Sequence, residues 1–215
     1  MSNDKDLQQA VLAELDWEPS IKAGHIGVTA SEGVVTLTGH VENFAQKRAA
    51  EVATCRVKGV KAVAEEIEVR LPLTASWSDD QIANEAVSRL AWDVFIAPES
   101  IEVKVEKGWI TLTGEVDQHF QKEAASQDVR RLLGVLGVID EISIRPRVNA
   151  TDIQNNIVRA LHRSWFDRGT ISVRAEGGVV RLSGTVHSIH DRDLATATAW
   201  GAKGVTSVEN EVCIL

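Results

Sequence analysis

Two histidines and two carboxylates lie close together near the end of the chain, and these residue types can bind a transition metal. His187 and His190 are followed by Asp191 and Asp193. A zinc site needs three or four such ligands that converge from a fixed frame. Spacing alone does not provide that frame, so we interpret the segment as a solvated helix start. We expect no metal and no other cofactor.

A second group combines arginine with aromatic side chains. Arg159 and Arg163 are one helical turn apart and would share a face, and Trp165, Phe166 and Arg168 follow them. Guanidinium groups match the oxygens of a phosphate, while aromatic rings enter the interface of a membrane. We predict that these five residues contact an anionic phospholipid or a protein partner. The alternative is a set of solvated arginines with Trp165 in the core.

No catalytic arrangement can be assembled from the sequence. Ser183 lies at the end of a strand-like segment, not in a G-x-S-x-G turn. Glu65 and Glu66 are adjacent in another such segment and would point to opposite faces, so they do not form an acid–base pair. Cys55 and Cys213 form no C-x-x-C motif, and we expect unpaired thiols. The sequence predicts a protein that is not an enzyme.

The composition excludes several other classes of protein. The 215 residues include 23 Lys and Arg against 31 Asp and Glu, which gives a net charge of −8, and 44% are hydrophobic. This apolar content disfavours disorder, and no run approaches the roughly 20 apolar residues of a transmembrane helix. The negative charge disfavours nucleic-acid binding, which depends on clustered Lys and Arg.

The first residues bear on the location of the protein. Residues 1–6 are polar and acidic, with neither the basic nor the apolar region of a secretory signal. From this sequence we expect a cytoplasmic protein. A chain trimmed at its N-terminus would be expected in the periplasm.

One segment of the chain occurs three times. Its copies are Gly33-Val-Val-Thr-Leu-Thr-Gly39, Gly108-Trp-Ile-Thr-Leu-Thr-Gly114 and Gly178-Val-Val-Arg-Leu-Ser-Gly184. The first glycine suits a hairpin turn with a left-handed backbone angle, and the second would end the strand or let it bend. Later segments repeat at the same two offsets, 75 and 70 residues. The chain is therefore predicted to contain three domains, residues 1–72, 73–148 and 149–215.

Each repeat predicts the same order of elements, α-β-β-α-β. The first helix has apolar residues at i, i+4, i+5 and i+8, which are Leu7, Val11, Leu12 and Leu15 in the first repeat and Ile82, Ala86, Val87 and Leu90 in the second. The second helix is predicted to bury Ala49, Ala50 and Val52 in the first repeat and Leu194, Ala195 and Ala197 in the third. A helix that connects two strands makes them parallel. We predict an α+β fold of three tandem units, each a mixed three-stranded sheet with two helices packed on one face.

A tryptophan follows the first helix of each repeat: Trp17, Trp92 and Trp165. Trp is amphipathic and is frequent both in cores and at interfaces. We favour the interpretation that each ring caps the core of its own unit. Contact with lipid or with a partner is the alternative.

The repeated hairpin and a later pattern resemble the BON domain family. The hairpin reads G-x-[VI]-x-L-x-G-x-V, and the later pattern, which begins at Val57, Leu132 and Ala202, contains a Gly-Val pair and ends in a strand. The resemblance implies the α-β-β-α-β fold and a role in binding phospholipid surfaces or envelope partners instead of catalysis. Members are commonly exported or lipidated and often carry two copies, whereas this chain shows neither signal and has three copies.

Charge divides unevenly among the repeats. Residues 1–72 carry a net charge of −3, residues 73–148 carry −5, and residues 149–215 are neutral. The third repeat is therefore the candidate for contact with an anionic membrane. We predict a non-enzymatic, stress-associated adaptor that engages anionic phospholipid or envelope components. The alternatives are a soluble protein-interaction scaffold or homo-oligomer, and a small-ligand or cation-sensing protein; the oligomeric state stays open.

Overall fold

The structure, a computed structural model, describes residues 2–72, 77–145, 153–163 and 170–214. In that part of the chain, six α-helices and nine strands follow one another in the predicted order. The helices are α1 (Ser2–Trp17), α2 (Phe44–Arg56), α3 (Asp79–Trp92), α4 (His119–Arg130), α5 (Ile153–Arg163) and α6 (Ile189–Trp200). The strands are β1 (Ile26–Ser31), β2 (Val34–Val41), β3 (Ala62–Val69), β4 (Ile101–Glu106), β5 (Trp109–Val116), β6 (Gly137–Ile144), β7 (Ile171–Glu176), β8 (Val179–Val186) and β9 (Ser207–Ile214).

Each unit has its own three-stranded sheet of mixed direction. β1 pairs antiparallel with β2, and β2 pairs parallel with β3. The other two sheets repeat this arrangement. The parallel pair follows from the helix that connects its strands. The predicted α+β fold is confirmed, while the exact domain borders stay predictions because the links between units include 73–76 and 146–152, outside the described residues.

Both helices of a unit cover the same face of its sheet. In the first unit, Val35 and Leu37 of β2 are fully buried and share one core with Val11 of α1 and Ala50 of α2. The alternate position Thr36 faces the other way and is only half-buried. No helix in the described ranges is long and apolar enough to cross a bilayer.

The buried faces of the helices are narrower than the sequence predicts. Successive residues lie about 100° apart around a helix, so a residue one or two positions beyond the last buried one in a turn faces solvent where the buried face is narrow. The predicted core residues that are exposed are Leu12, Val52, Val87 and Ala197. The alanines that are buried in the second helices are Ala50 and Ala53 in α2 and Ala195 and Ala199 in α6.

The hairpins contain the left-handed turns that the glycines predict. Ser31 pairs with Val34, and the two residues between them, Glu32 and Gly33, have φ values of 52° and 88°. Positive φ at both positions is typical of a type I′ turn. Further along the strand, Gly39 has φ 113°, and β2 continues past it. Gly39 therefore bends the strand and does not end it.

The three units contact one another through the first residue of each second helix. Phe44 of α2 packs against the core of the second unit. His119 of α4 stacks on Trp200 of the third unit, with ring centroids 4.2 Å apart. Ile189 of α6 is buried in the core of the first unit. Because these residues occupy equivalent positions in the repeats, the units form a closed ring in which each contacts the next.

Candidate functional site

The structure places two of the five predicted site residues. Arg159 and Arg163 lie on the exposed side of α5, one turn apart as predicted. Neither forms an ion pair with any residue in the described ranges. Trp165, Phe166 and Arg168 lie outside the described residues.

A cleft of about 520 Å³ separates α5 from the end of α6, and we call it the basic cleft. Arg159 and Arg163 line one side of it, and Lys203 lines the other. Asn156 and Thr198 add uncharged polar groups, and no carboxylate is among the described residues that line it. Three cations with no anionic partner in the part of the chain that the structure covers make this cleft suited to binding a phosphate or another anion.

The basic cleft is open because two side chains that close the first unit are missing from the third. In the first unit Arg56 Nη1 at the end of α2 lies 3.6 Å from Glu14 Oε1 of α1, and this ion pair spans the two helices. Glu14 precedes the buried Leu15, just as Ala160 precedes the buried Leu161. Arg56 and Gly201 are likewise equivalent, because each lies three residues before a glycine of the repeat. Small residues at both positions leave a cleft among the residues that the structure describes.

The second unit fills the equivalent space with charges of both signs. Arg89 and Arg131 occupy the positions of Ala160 and Gly201, and Asp128 occupies that of Thr198. Burial raises the pKa of Asp128, the neighbouring Asp93 raises it further, and both arginines oppose this shift. The concentration of unneutralised positive charge is therefore a property of the third unit.

The interpretation that the repeated tryptophans cap their cores is wrong for the first two units. Trp17 and Trp92 are 83% and 87% exposed, at the last residues of α1 and α3. Both stand two residues after a buried leucine, and in the third unit that position is Arg163. Two positions correspond to about 200° around a helix, so these rings point away from the core. The third tryptophan, Trp165, lies outside the described residues.

An aromatic groove of about 520 Å³ lies between the second and third units. Phe95 and Phe120 meet edge to face on one side, with centroids 5.5 Å apart. The stacked pair His119 and Trp200 lies on the other side. Burial lowers the pKa of His119, which favours the neutral ring. One carboxylate, Glu123, also lines this groove.

The aromatic groove and the basic cleft share a wall. Gly201 lines both, so the groove that contains the exposed rings of Phe95 and Phe120 adjoins the cleft that contains the basic side chains. The sequence did not single out Lys203, Phe95 or Phe120 for this site. Phe120 carried a signal, since it stands at a position where the other repeats have Ala45 and His190.

The histidine–aspartate segment shows no metal-binding geometry in the part of the chain that the structure covers. His187 and His190 are both exposed, and no three His, Cys, Asp or Glu side chains there converge on one point. Both cysteines are free. Burial raises the pKa of Cys55 to about 11, which keeps this thiol protonated and unreactive near neutral pH.

Comparison with known proteins agrees with the repeat. The BON domain model matches residues 3–70, 78–146 and 149–215. Osmotically inducible protein Y of Escherichia coli K12 is 27% identical over 147 residues, which cover 66% of this chain and 73% of that protein.

Two solved structures of CdsD, a structural protein of the type III secretion system of Chlamydia trachomatis, also align with the chain. They are 16% and 17% identical to it, with TM-scores of 0.28 and 0.27, and each alignment covers 98% of this chain and 92% or 98% of the other. TM-scores this low support no conclusion about this protein. The three matches to the BON model cover nearly all of its residues, and the chain therefore belongs to the BON domain family.

Proposed function

We propose that this chain is a non-enzymatic adaptor that binds anionic phospholipid surfaces through the basic cleft and the aromatic groove beside it. The observation that carries the proposal is the wall shared at Gly201, which joins a cleft lined by three basic side chains to a groove lined by exposed aromatic rings. Basic groups bind lipid phosphates, while rings enter the membrane interface. Trp165, Phe166 and Arg168 follow α5 in the sequence and stay predicted contacts of the same ligand.

The known relatives support a binding role under stress. The chain belongs to a family of binding domains, and the similar protein of Escherichia coli is named for its osmotic induction. We infer a stress-associated adaptor, whose location in the cytoplasm or periplasm decides which membrane face it meets.

Attraction to an anionic surface is confined to the third unit. Each basic residue close to such a surface contributes about 1 kcal/mol, so Arg159, Arg163 and Lys203 together contribute about 3 kcal/mol. The first two units carry net charges of −3 and −5, and the surface repels them. Binding should therefore be oriented, weak and sensitive to salt.

Flotation with phosphatidylglycerol vesicles tests this proposal. The double variant Arg159→Glu with Arg163→Glu should lose at least about 30-fold in affinity, because two attractive charges become repulsive. The control, Lys5→Glu with Arg174→Glu, changes the net charge equally at two exposed residues outside the basic cleft and should float like the wild type. Equal loss in both double variants, or no flotation of the wild type, would contradict the proposal.

A further inference from the structure

The second unit contains an apolar cavity that the proposed function does not use. It has a volume of about 400 Å³ and lies between α3, the loop after it and the edge strand β4. Leu90 and Ile96 form its buried floor, while Ile101 and Val103 of β4 line its side. Small-molecule sites in proteins are mostly apolar and begin at about 300 Å³, so the cavity has room for one short aliphatic chain.

The cavity exists because α3 carries smaller side chains toward β4 than α1 does toward β1. In the first unit Gln8 bridges this gap, and its Nε2 donates a hydrogen bond to the carbonyl oxygen of Val28 at 2.6 Å. The equivalent residue in the second unit is Ala83. One and two turns further along α3 stand Val87 and Ala91, where α1 has the larger Leu12 and Asp16.

The strand beside this gap is correspondingly less covered in the second unit. Ile26 and Val28 of β1 are each 6% exposed. Their equivalents in β4, Ile101 and Val103, are only half-buried. The apolar face of β4 is therefore left uncovered at the cavity, which is where a ligand with an aliphatic chain would bury it.

An exposed carboxylate lies at the mouth of the cavity. Among the described residues, Glu99 is the one charged residue in the lining, and it forms no ion pair with any of them. It also has φ 59°, whereas the equivalent Gly24 has no left-handed angle. A left-handed conformation costs energy for a residue with a side chain, and such positions cluster at ligand sites.

We propose that this cavity binds an amphipathic cation, with its aliphatic chain against Leu90, Ile96 and Ile101 and its ammonium group beside the Glu99 carboxylate. The apolar lining accounts for the chain, and the unpaired carboxylate at the mouth selects a cation over a neutral or anionic head group. The site is independent of the basic cleft, which lies in another unit and has the opposite charge.

Isothermal titration calorimetry with three ten-carbon probes, each below its micelle concentration or solubility limit, tests the proposal on the full chain. Decylammonium should bind at one saturable site, more tightly than decanol, and decanoate should bind most weakly. Ala91→Phe should weaken decylammonium binding by about 10-fold or more, because the ring fills the cavity. The control Ala13→Phe places the same ring at an exposed site on α1 and should leave binding unchanged.

The carboxylate is tested separately from the cavity. Glu99→Gln should erase a preference of about 3-fold for decylammonium over decanol, the size expected of an exposed ion pair. Glu102→Gln removes the same charge from an exposed position on β4 that does not line the cavity and should keep the preference. Circular dichroism and amide chemical shifts of Ile96 and Ile101 would show that each variant is folded and where the probe binds.

Three results would overturn the proposal. The first is that no probe binds the wild type. The second is that decanoate binds as tightly as decylammonium, which would assign the cavity to another class of lipid. The third is a wild-type chain that dimerises by light scattering and becomes monomeric on Ala91→Phe, which would assign this face to a second copy. None of these results bears on vesicle binding by the third unit.

Discussion

Two small residues, Ala160 and Gly201, open the basic cleft of the third unit. The first unit has Glu14 and Arg56 at these positions, and their ion pair crosses between its helices. Replacing both removes a carboxylate and opens a cleft in which Arg159 and Arg163 have no partner among the described residues. The candidate site is therefore produced by substitutions at two positions of an otherwise constant framework.

A glycine in the strand is the residue on which the hairpin depends most. A Cβ atom on Gly39 would lie 2.1 Å from the carbonyl oxygen of His25, and φ is 113°. We expect Gly39→Ala to lower the free energy of unfolding by about 3 kcal/mol, since the backbone must move. Gly24→Ala is the control, because nothing lies within 4 Å of that Cβ position. Equal midpoints in urea for the two variants would show that the bend tolerates a side chain.

At the scale of elements, the start of the first helix holds the tip of the hairpin. Asp79 of α3 accepts hydrogen bonds from the backbone N–H groups of Lys107 and Gly108, at 2.7 and 2.9 Å. Asp4 of α1 accepts one from the N–H group of Glu32 at 2.9 Å. These donors lie in tight turns where no strand pairs with them. In each of these two units, one carboxylate therefore links the start of the first helix to the hairpin turn.

We expect Asp79→Ala to destabilise the second unit by about 2 kcal/mol, because two backbone donors lose a charged acceptor. Asp80→Ala is a matched control, since it removes a neighbouring carboxylate from the same helix start but makes no side-chain contact with the turn. It should cost about 0.5 kcal/mol through the helix dipole alone. Thermal unfolding of both variants measures the difference, and equal losses would assign the effect to the dipole.

At the scale of the whole molecule, the ring of contacts makes the units depend on one another. A unit of this length is close to the lower limit of independent stability. Each gains apolar burial from a residue of its neighbour, such as Phe44 against the second core and Ile189 in the first. Ile214 of β9 contacts the first and third cores as well. The third unit, which carries the candidate site, is therefore held on both sides.

Ile189 should stabilise a unit to which it does not belong. Ile189→Ala removes about 2 to 4 kcal/mol of packing from the first core. Hydrogen exchange should therefore speed up at the amides of Val35 and Leu37, which lie in the first unit. In the control, Ile157→Ala, the altered residue lies in the third core only, and exchange should speed up there instead. If Ile189→Ala left the hydrogen-exchange rates of the first unit unchanged, the stability of that unit would not depend on its contact with the third unit.

The junction between the second and third units should weaken in acid. Burial lowers the pKa of His119 below its usual value near 6.5; the charge of Glu123 opposes this shift, and Lys122 adds to it. The stabilisation from the neutral ring is complete above pH 6.5 and is lost as the pH falls toward the lowered pKa.

The comparison of wild type with His119→Gln isolates this effect. Carboxyls such as Asp193, whose pKa is raised by partial desolvation, act in the opposite direction, but they are present in both proteins. The unfolding free energy of the wild type should fall relative to that of the variant between pH 6.5 and 5. A constant difference over this range would exclude His119 as the source of the acid sensitivity.

The fold could be predicted from the periodicity and repetition of the sequence, because secondary structure depends mainly on residues that are close together in the chain. Alternation along Val35 and Leu37 indicates a half-buried strand, and the glycine of each turn indicates a left-handed angle. Three matching copies then specify the order of elements. The same patterns wrongly placed Leu12 and Val52 in the core. The spacing of apolar residues does not show how wide a face of each helix the small sheet buries.

Only part of the candidate site could be predicted from the sequence. Arg159 and Arg163 could be paired because helical spacing alone brings them together. Lys203, Phe95 and Phe120 could not be added, because they come from another helix end and another unit, and only the packing of α5 against α6 and of the second unit against the third makes them neighbours. Local spacing therefore determined the elements, whereas contacts between distant segments decided where charge, aromatic rings and empty space coincide.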